Sequence, residues 1–346
     1  MNKIYVLLIL LILSCSKPVE KPNLLFILVD DLGWTDVSYN GSDFYETQNI
    51  DRLSLNSMLF YNAYASSSVC SPTRAAIMTG KHPARVNITD WIPGLEEQPH
   101  YNNKNKPLIG PQDLNELPLS EITIAEVLKK NGYKTFYSGK WHLGSEGHYP
   151  EDQGFDINVG GFEKGSPMGG YYTPYKNPKL EDGPEGEYLT DRLTQETIDF
   201  IDSRDESKPF AAFLAFYNVH TPIQENKEFY DYYIEKLKGY DDIEPVTKKE
   251  GDAITLLNQR NAKYASMVHA TDYNVGKIIN YLKENNLYDD TLIVFTSDNG
   301  GLSTLKRIAP TSVYPLRAGK GWLYEGGIKI PQLMNCLLYT SPSPRD

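Results

Sequence analysis

The chain holds only three cysteines in 346 residues. That number builds no disulfide framework, so each thiol is expected to serve a single site. An excess of positive charge is missing as well. With 34 Lys and Arg against 45 Asp and Glu, the formal net charge is −11 and the pI near 5.1. This excludes nucleic acid as a partner, because phosphate binding requires basic patches. A local cationic pocket for a small anion is still compatible with an acidic protein. Long hydrophobic runs are absent too. The longest, Ile4 to Leu13, is about half of the ~20 residues that a membrane-spanning helix needs. Behind Lys3 and ahead of Ser14, it instead has the length and flanks of a signal-peptide core. Ile12-Leu13-Ser14-Cys15 reads as a lipobox, so 1–15 is expected to be a lipoprotein-type signal peptide with Cys15 as the lipid anchor. Plain cleavage and release is the alternative. Either way the expected location is exported: periplasmic, or on the outer membrane or surface of a bacterial cell.

What is present is an ordinary globular composition, 40% hydrophobic and 23% charged, with room for one large core or two domains. Apolar runs at Asn23–Val29, Pro209–Tyr217 and Thr291–Thr296, and a shorter one at Lys134–Ser138, have the continuity of strands buried on both faces. Helical patterns separate them: a capping box at Thr123 and Glu126, an inward face over Thr190–Asp202, and a long period over Asn258–Asn285. The alternation predicts an α/β fold, a doubly wound and mainly parallel sheet flanked by helices. Glu96–Pro118 and Tyr149–Tyr188 lack periodicity and are read as loops, the first rimming a pocket. Tyr171 and Tyr172 serve either as a stacking face for a sugar or as loop packing. His269 and Asp272, on the long helix, are read as structural.

Polar residues collect just past these strands. Asp30 and Asp31 follow the first, and two adjacent carboxylates there either cap a helix or hold a divalent cation, for which hard oxygen ligands favour Ca²⁺ or Mg²⁺. Asp298 and Asn299 follow the last. Lys140 and His142 alternate beyond Ser138, a spacing that points both side chains the same way. His220 precedes Thr221-Pro222, where a capped turn is the plainer reading, and Lys320 sits between glycines, where a solvated lysine is the default. In open α/β sheets this edge is where ligands bind. Cys70-Ser71-Pro72-Thr73-Arg74 adds a helix start, since Pro72 suits a first turn. Cys70 is then placed just before the helix, where free N–H groups and the dipole favour an anion, with Arg74 one turn on as a fixed cation. A buried thiol at a turn is the other reading.

The Cys-x-Pro-x-Arg arrangement, here within SSSVCSPTRAAIMTGKHPAR, resembles the signature of the sulfatases. Asp30-Asp31, GKWHLG at 139–144, His220, Asp298-Asn299 and the run Pro315–Gly327 are similar to further motifs of that family. The resemblance covers about Asn23 to Pro331. It implies an alkaline-phosphatase-like fold and a sulfuric ester hydrolase. It implies that a maturation enzyme oxidises Cys70 to formylglycine, whose hydrated aldehyde is the nucleophile. It further implies a Ca²⁺, or Mg²⁺, held by Asp30, Asp31, Asp298, Asn299 and residue 70. Arg74, Lys140, His142, His220 and Lys320 are the implied catalytic groups around the sulfate. Of these, His142 assists the formylglycine hydroxyl, and His220 or Lys320 protonates the leaving alcohol. The substrate is expected to be a sulfated carbohydrate or a small aryl sulfate. Two rivals stand beside this reading: a phosphatase or phosphonate-ester hydrolase of the same superfamily, and an inactive sulfate-binding lipoprotein. After Pro331 the chain departs from the family. Residues 332–346 are read as an atypical, non-native tail without an element to close a sheet, and the family's C-terminal subdomain is expected to be missing. The expected organisation is therefore 1–15 leader, 23–331 catalytic domain and 332–346 tail.

Overall fold

Residues 21–92 and 113–335 are described by the structure, a computed structural model. The expected leader with Cys15, and residues 96–112 of the expected rim loop, lie outside them. In chain order the elements begin with β1 (Asn23–Val29), α1 (Gln48–Ser54), β2 (Met58–Leu59), α2 (Cys70–Thr79) and α3 (Pro83–Val86). Then come α4 (Ile124–Lys130), β3 (Lys134–Gly139), β4 (Ile157–Val159), α5 (Leu189–Asp202), β5 (Phe210–Phe216) and α6 (Tyr230–Leu237). The last are β6 (Thr247–Glu250), β7 (Ala253–Leu256), α7 (Ala262–Glu284), β8 (Thr291–Ser297), β9 (Thr304–Leu305), α8 (Glu325–Ile328) and β10 (Gln332–Asn335).

The main sheet runs β2-β10-β8-β1-β5-β3-β4. β1 lies parallel to both β5 and β8, and β3 parallel to β5 and β4, while β10 is antiparallel to β8 and β2. The sheet is mainly parallel, as the apolar runs predict. The two-residue period of a strand divides each run between two cores. Leu25, Ile27 and Val29, with Ala212, Leu214 and Phe216, face Leu193 and Ile201 of α5 and Val275 and Ile278 of α7. Leu24 and Leu28, with Ala211, Phe213 and Ala215, face Ala75 and Met78 of α2 and Ala125 of α4. Helices therefore cover both faces, which is why these strands are apolar throughout.

Local signals set the helix ends. Thr123 and Glu126 form the predicted reciprocal capping box at α4. The Asn261 side chain accepts from the Lys263 and Tyr264 amides at the start of α7. Asp272 on α7 accepts from the Asn49 and Ile50 amides, so its role is to cap α1.

Two features differ from the sequence expectation. A second, antiparallel sheet, β6-β7-β9, carries no apolar run in β6, whose residues are Thr-Lys-Lys-Glu. In addition, Gln332–Asn335, assigned to the tail beyond Pro331, forms β10. Leu333 is fully buried there and pairs with Phe295 and Leu59. Residues 336–346 of the expected tail lie outside the described residues.

Candidate active site

The parallel register brings the strand ends level. Val29 is opposite both Phe216 and Ser297, and Gly139 opposite Ala215. Asp30-Asp31, Asn218–His220, Lys140 and Asp298-Asn299 therefore emerge at one edge. Past β1 the backbone stays tied to its neighbour, since the Asp30 amide donates to the Asn218 carbonyl (2.8 Å) and the Val219 amide to the Asp30 carbonyl (2.6 Å). Asp31 then adopts a left-handed φ of 61°, a conformation that Asp tolerates better than most residues. Its amide donates to Asp298 Oδ1 (3.2 Å).

Helix α2 delivers the thiol into this edge. Val69 is the N-cap, so Cys70 is the first helical residue, one position further in than the sequence placed it. The Cys70 Sγ lies 3.5 Å from Asp30 Oδ1 and 3.9 Å from Asp31 Oδ1. One turn on, Arg74 Nε donates to Asp298 Oδ2 (2.8 Å), and its Nη1 donates to the Lys140 carbonyl. Lys140 Nζ donates to Asp30 Oδ2 (2.7 Å), and Lys320 Nζ reaches both Asp31 oxygens (2.6 and 2.8 Å). Each of the three carboxylates thus has its own cation. Asp30, Asp31, Asp298, Asn299, Lys140 and Arg74 are buried, whereas Lys320 and His220 are part-exposed and mark the mouth.

The Lys320 loop is held against the Asp298 loop by backbone contacts. The Lys320 amide donates to the Gly301 carbonyl (2.9 Å), the Gly300 amide to the Gly327 carbonyl (2.9 Å), and the Gly321 amide to the Ser68 carbonyl (2.8 Å). Only glycine permits this approach, because a Cβ on Gly300 would lie 1.9 Å from the Gly326 carbonyl oxygen.

The two histidines present opposite nitrogens. A carbonyl can only accept, so His220 Nδ1 donates to the Thr221 carbonyl (2.8 Å) and leaves Nε2 facing Asp31, 3.9 Å away. His142 donates through Nε2 to the Ile92 carbonyl (2.7 Å) and leaves Nδ1 buried without a hydrogen-bond partner. The alternation that would aim Lys140 and His142 alike does not hold. The chain turns at Gly139 (φ 100°) and again at His142 (φ 59°), which aims the imidazole at Ile92.

Charge and burial oppose each other throughout the site. Burial raises the Asp30 carboxyl to about 8 despite Lys140. At Asp31 burial acts in the same direction, but Lys320, His220 and Lys140 outweigh it and hold the group below the usual carboxylate range. Asp298 is likewise lowered, with Arg74 and Lys140 outweighing burial. The Cys70 thiol is pushed up to about 12 by burial, although Lys140 and Lys320 act against this. Burial and the Lys320 charge lower His220 to about 3. Burial and the Lys140 charge hold His142 well below its ordinary value, so both rings are neutral.

Donor atoms of Asp30, Asp31, Asp298 and Cys70 all lie within 4.8 Å of one another. Asn299 Nδ2 donates to Asp31 Oδ1 (2.8 Å), while its buried Oδ1 has no hydrogen-bond partner. Crowded carboxylates, one of them raised in pKa, beside an orphaned amide oxygen form an oxygen-rich set that fits a hard divalent cation.

Supporting residues lie behind the site, and Tyr171 takes the second of the two roles the sequence offers it, loop packing. The Tyr171 hydroxyl reaches the carbonyls of Tyr217 (2.7 Å) and His220 (2.8 Å), and its fully buried ring stacks on Tyr188. Tyr171 is therefore packing behind His220 and not a sugar-stacking face. The Asn218 side chain, between Thr190 and the Met267 carbonyl, anchors the same turn.

Known proteins are similar to this chain over most of its length. A family model described as Sulfatase matches residues 22–335. Arylsulfatase J of Mus musculus is 30% identical over 326 residues, covering 90% of this chain and 47% of that protein. N-acetylgalactosamine-6-sulfatase of Homo sapiens is 29% identical over 340 residues, covering 93% of this chain and 58% of that protein. Among solved structures, Ps i-CgsB in complex with k-i-k-neocarrahexaose is 31% identical with a TM-score of 0.68, covering 92% of this chain and 66% of that one. The chain spans about half of the length of the curated relatives it matches. The match takes in the whole main sheet and every charged group at its edge, and the chain belongs to the sulfatase family.

Proposed function

We propose that the chain hydrolyses sulfate esters, with a sulfated carbohydrate as its natural substrate and small aryl sulfates as surrogates. One observation carries this reading: Arg74, Lys140 and Lys320 are each paired with one carboxylate of the buried cluster Asp298, Asp30 and Asp31 that gathers around the side chain of residue 70, with His220 at its edge. The similarity to sulfatases, and to a structure solved with a neocarrahexaose, supports sulfate and sugar as the two halves of the substrate.

Asp30, Asp31, Asp298, Asn299 and residue 70 would hold Ca²⁺ or Mg²⁺, which supplies a Lewis acid to polarise an S–O bond and favours an ionised nucleophile. A thiol held near 12 is a poor nucleophile at neutral pH, which supports oxidation of Cys70 to formylglycine, the source of a hydrated-aldehyde hydroxyl. Arg74, fixed on Asp298, sets the back wall of the anion pocket. Lys140 and Lys320 place N–H donors where charge accumulates on the sulfate oxygens. His142 presents an unprotonated Nδ1 as a base. His220 presents a neutral Nε2 at the mouth, which favours Lys320 as the proton donor to the departing alcohol. Burial of the carboxylates keeps bulk water from screening these contacts. A formylglycine-generating enzyme acting on residue 70, export, and a lipid anchor at Cys15 belong to the same reading and rest on the motif and the leader.

The test compares kcat/KM for 4-nitrophenyl sulfate and 4-nitrophenyl phosphate, in the full chain and in Cys70→Ala. Preference for the sulfate, lost in the variant, is expected. Preference for the phosphate replaces the reading with a phosphatase, and no turnover of either by chain carrying the aldehyde replaces it with a sulfate-binding protein.

A further inference from the structure

We propose that Ser71 is a positioning residue that sets, through the backbone of Ile92, which nitrogen of His142 is available to the reaction. The proposal rests on the reading of His142 as a base. The Ile92 amide donates to Ser71 Oγ (3.0 Å), and the Ile92 carbonyl accepts from His142 Nε2 (2.7 Å). Ser71, Ile92 and His142 are all buried, so neither contact is exchanged for water.

The chain of contacts fixes a proton position. Because the Ile92 oxygen can only accept, Nε2 carries the hydrogen and Nδ1 carries the lone pair. That lone pair is buried and unpartnered, the state of a group whose partner arrives with the substrate. Rotation of the ring is blocked on one face. A Cβ on Gly165 would lie 2.4 to 2.7 Å from Cε1, Nδ1 and Nε2, which places the imidazole flat on that glycine. The His142 amide is itself held by the Phe162 carbonyl (3.3 Å). The Ile92 carbonyl then decides which edge of the ring faces the site, and Ser71 decides where that carbonyl lies. Ser71 directly follows Cys70 in the first turn of α2. One helix start therefore places both the reacting residue and the support of its base.

The experiment uses the full chain with residue 70 converted to the aldehyde, and mass spectrometry of the residue-70 peptide normalises each rate. Imidazole ¹⁵N spectra of wild type, Ser71→Ala and Ser71→Thr are recorded, with His142→Gln to assign the signals. Wild type is expected to show the Nε2–H form. Ser71→Ala is expected to mix the two tautomers and to lower kcat about 10-fold, short of the 10²–10⁴-fold that a general base contributes, with KM unchanged. Ser71→Thr keeps an acceptor oxygen and is expected to restore both. An Nδ1–H form in wild type overturns the proposal whether or not the variants fold. So does Ser71→Ala with wild-type tautomer and kcat. If the tautomer shifts in Ser71→Ala while no sulfate ester is turned over by any form, the positioning stands and the proposed function falls.

Discussion

Gly300→Ala is the sharpest perturbation of the site that adds no charge and removes no functional group. The added Cβ would sit 1.9 Å from the Gly326 oxygen, 2.8 Å from its carbon and 3.0 Å from the Gly327 carbonyl carbon. Relief to an ordinary contact of roughly 3.5 Å requires a movement of about 1.5 Å. No flexible side chain absorbs it, because the opposing atoms are backbone. Gly326 has no room to retreat, since its own Cβ would meet the Ala318 oxygen at 2.3 Å. The movement therefore breaks the 2.9 Å bond from Gly300 to Gly327 and separates Asn299 from the loop that carries Lys320. Overpacking costs about 2 kcal/mol and the lost hydrogen bond about 1 kcal/mol, for a total of about 3 kcal/mol. Calorimetry is expected to show a fall in Tm of roughly 6 °C. Misplacing a catalytic group by about 1 Å costs on the order of 10²-fold, so aryl sulfate turnover is expected to fall by that much in the variant that remains folded. Gly239→Ala is the control, because its nearest neighbour is an oxygen at 3.4 Å, and its stability should stay within about 0.5 kcal/mol of wild type. Wild-type Tm and kcat in Gly300→Ala would refute the close-approach argument.

Asp272→Asn tests a buried carboxylate outside the site. Burial raises Asp272 from 3.8 to about 6, against the pull of the Ile50 and Asn49 amides. A raised carboxyl contributes stability that is complete below about pH 4 and is lost as pH rises through 6, about 3 kcal/mol for two units. The unfolding free energy of wild type relative to the variant should therefore fall between pH 4 and 6 in urea titrations, and a flat difference contradicts the assignment. Tyr171→Phe removes the hydroxyl behind His220 and leaves buried carbonyls short of a donor, at a cost of about 1–3 kcal/mol. Its kcat should fall while that of Tyr172→Phe does not; equal effects would remove Tyr171 from the support of His220. In chain with unconverted Cys70, a thiol near 12 instead of the usual ~8.5 implies alkylation by iodoacetamide about 10³-fold slower in the native state than in urea. The native rate should still be rising at pH 10, and a plateau near pH 8 would contradict the burial argument.

The strands and the chemistry at their ends were legible because both are local signals. β1, β5 and β8 are covered on two faces, so their apolar runs are continuous, and the acids, amide and histidine follow each run directly in the chain. What escaped depends on contacts distant in sequence. β6 is a charged strand in a small antiparallel sheet and has no period to detect. β10 reads as part of a tail until Leu333 is seen paired with Phe295. Asp31 and His142 are left-handed without a glycine to announce it, and that turn, not the Lys-x-His spacing, sets where the imidazole goes. Tyr171 lay in an aperiodic stretch whose packing against Tyr217 and His220 appears only in three dimensions.

The central claim is that residue 70, oxidised from cysteine and surrounded by Arg74, Lys140 and Lys320, is the centre of a sulfate-ester hydrolase. The most direct measurement pairs mass spectrometry of the residue-70 peptide with turnover of 4-nitrophenyl sulfate, across preparations made with and without a formylglycine-generating enzyme. Turnover is predicted to scale with the fraction of residue 70 present as aldehyde and to vanish in Cys70→Ala. Equal turnover by the thiol form, or by Cys70→Ala, would contradict it.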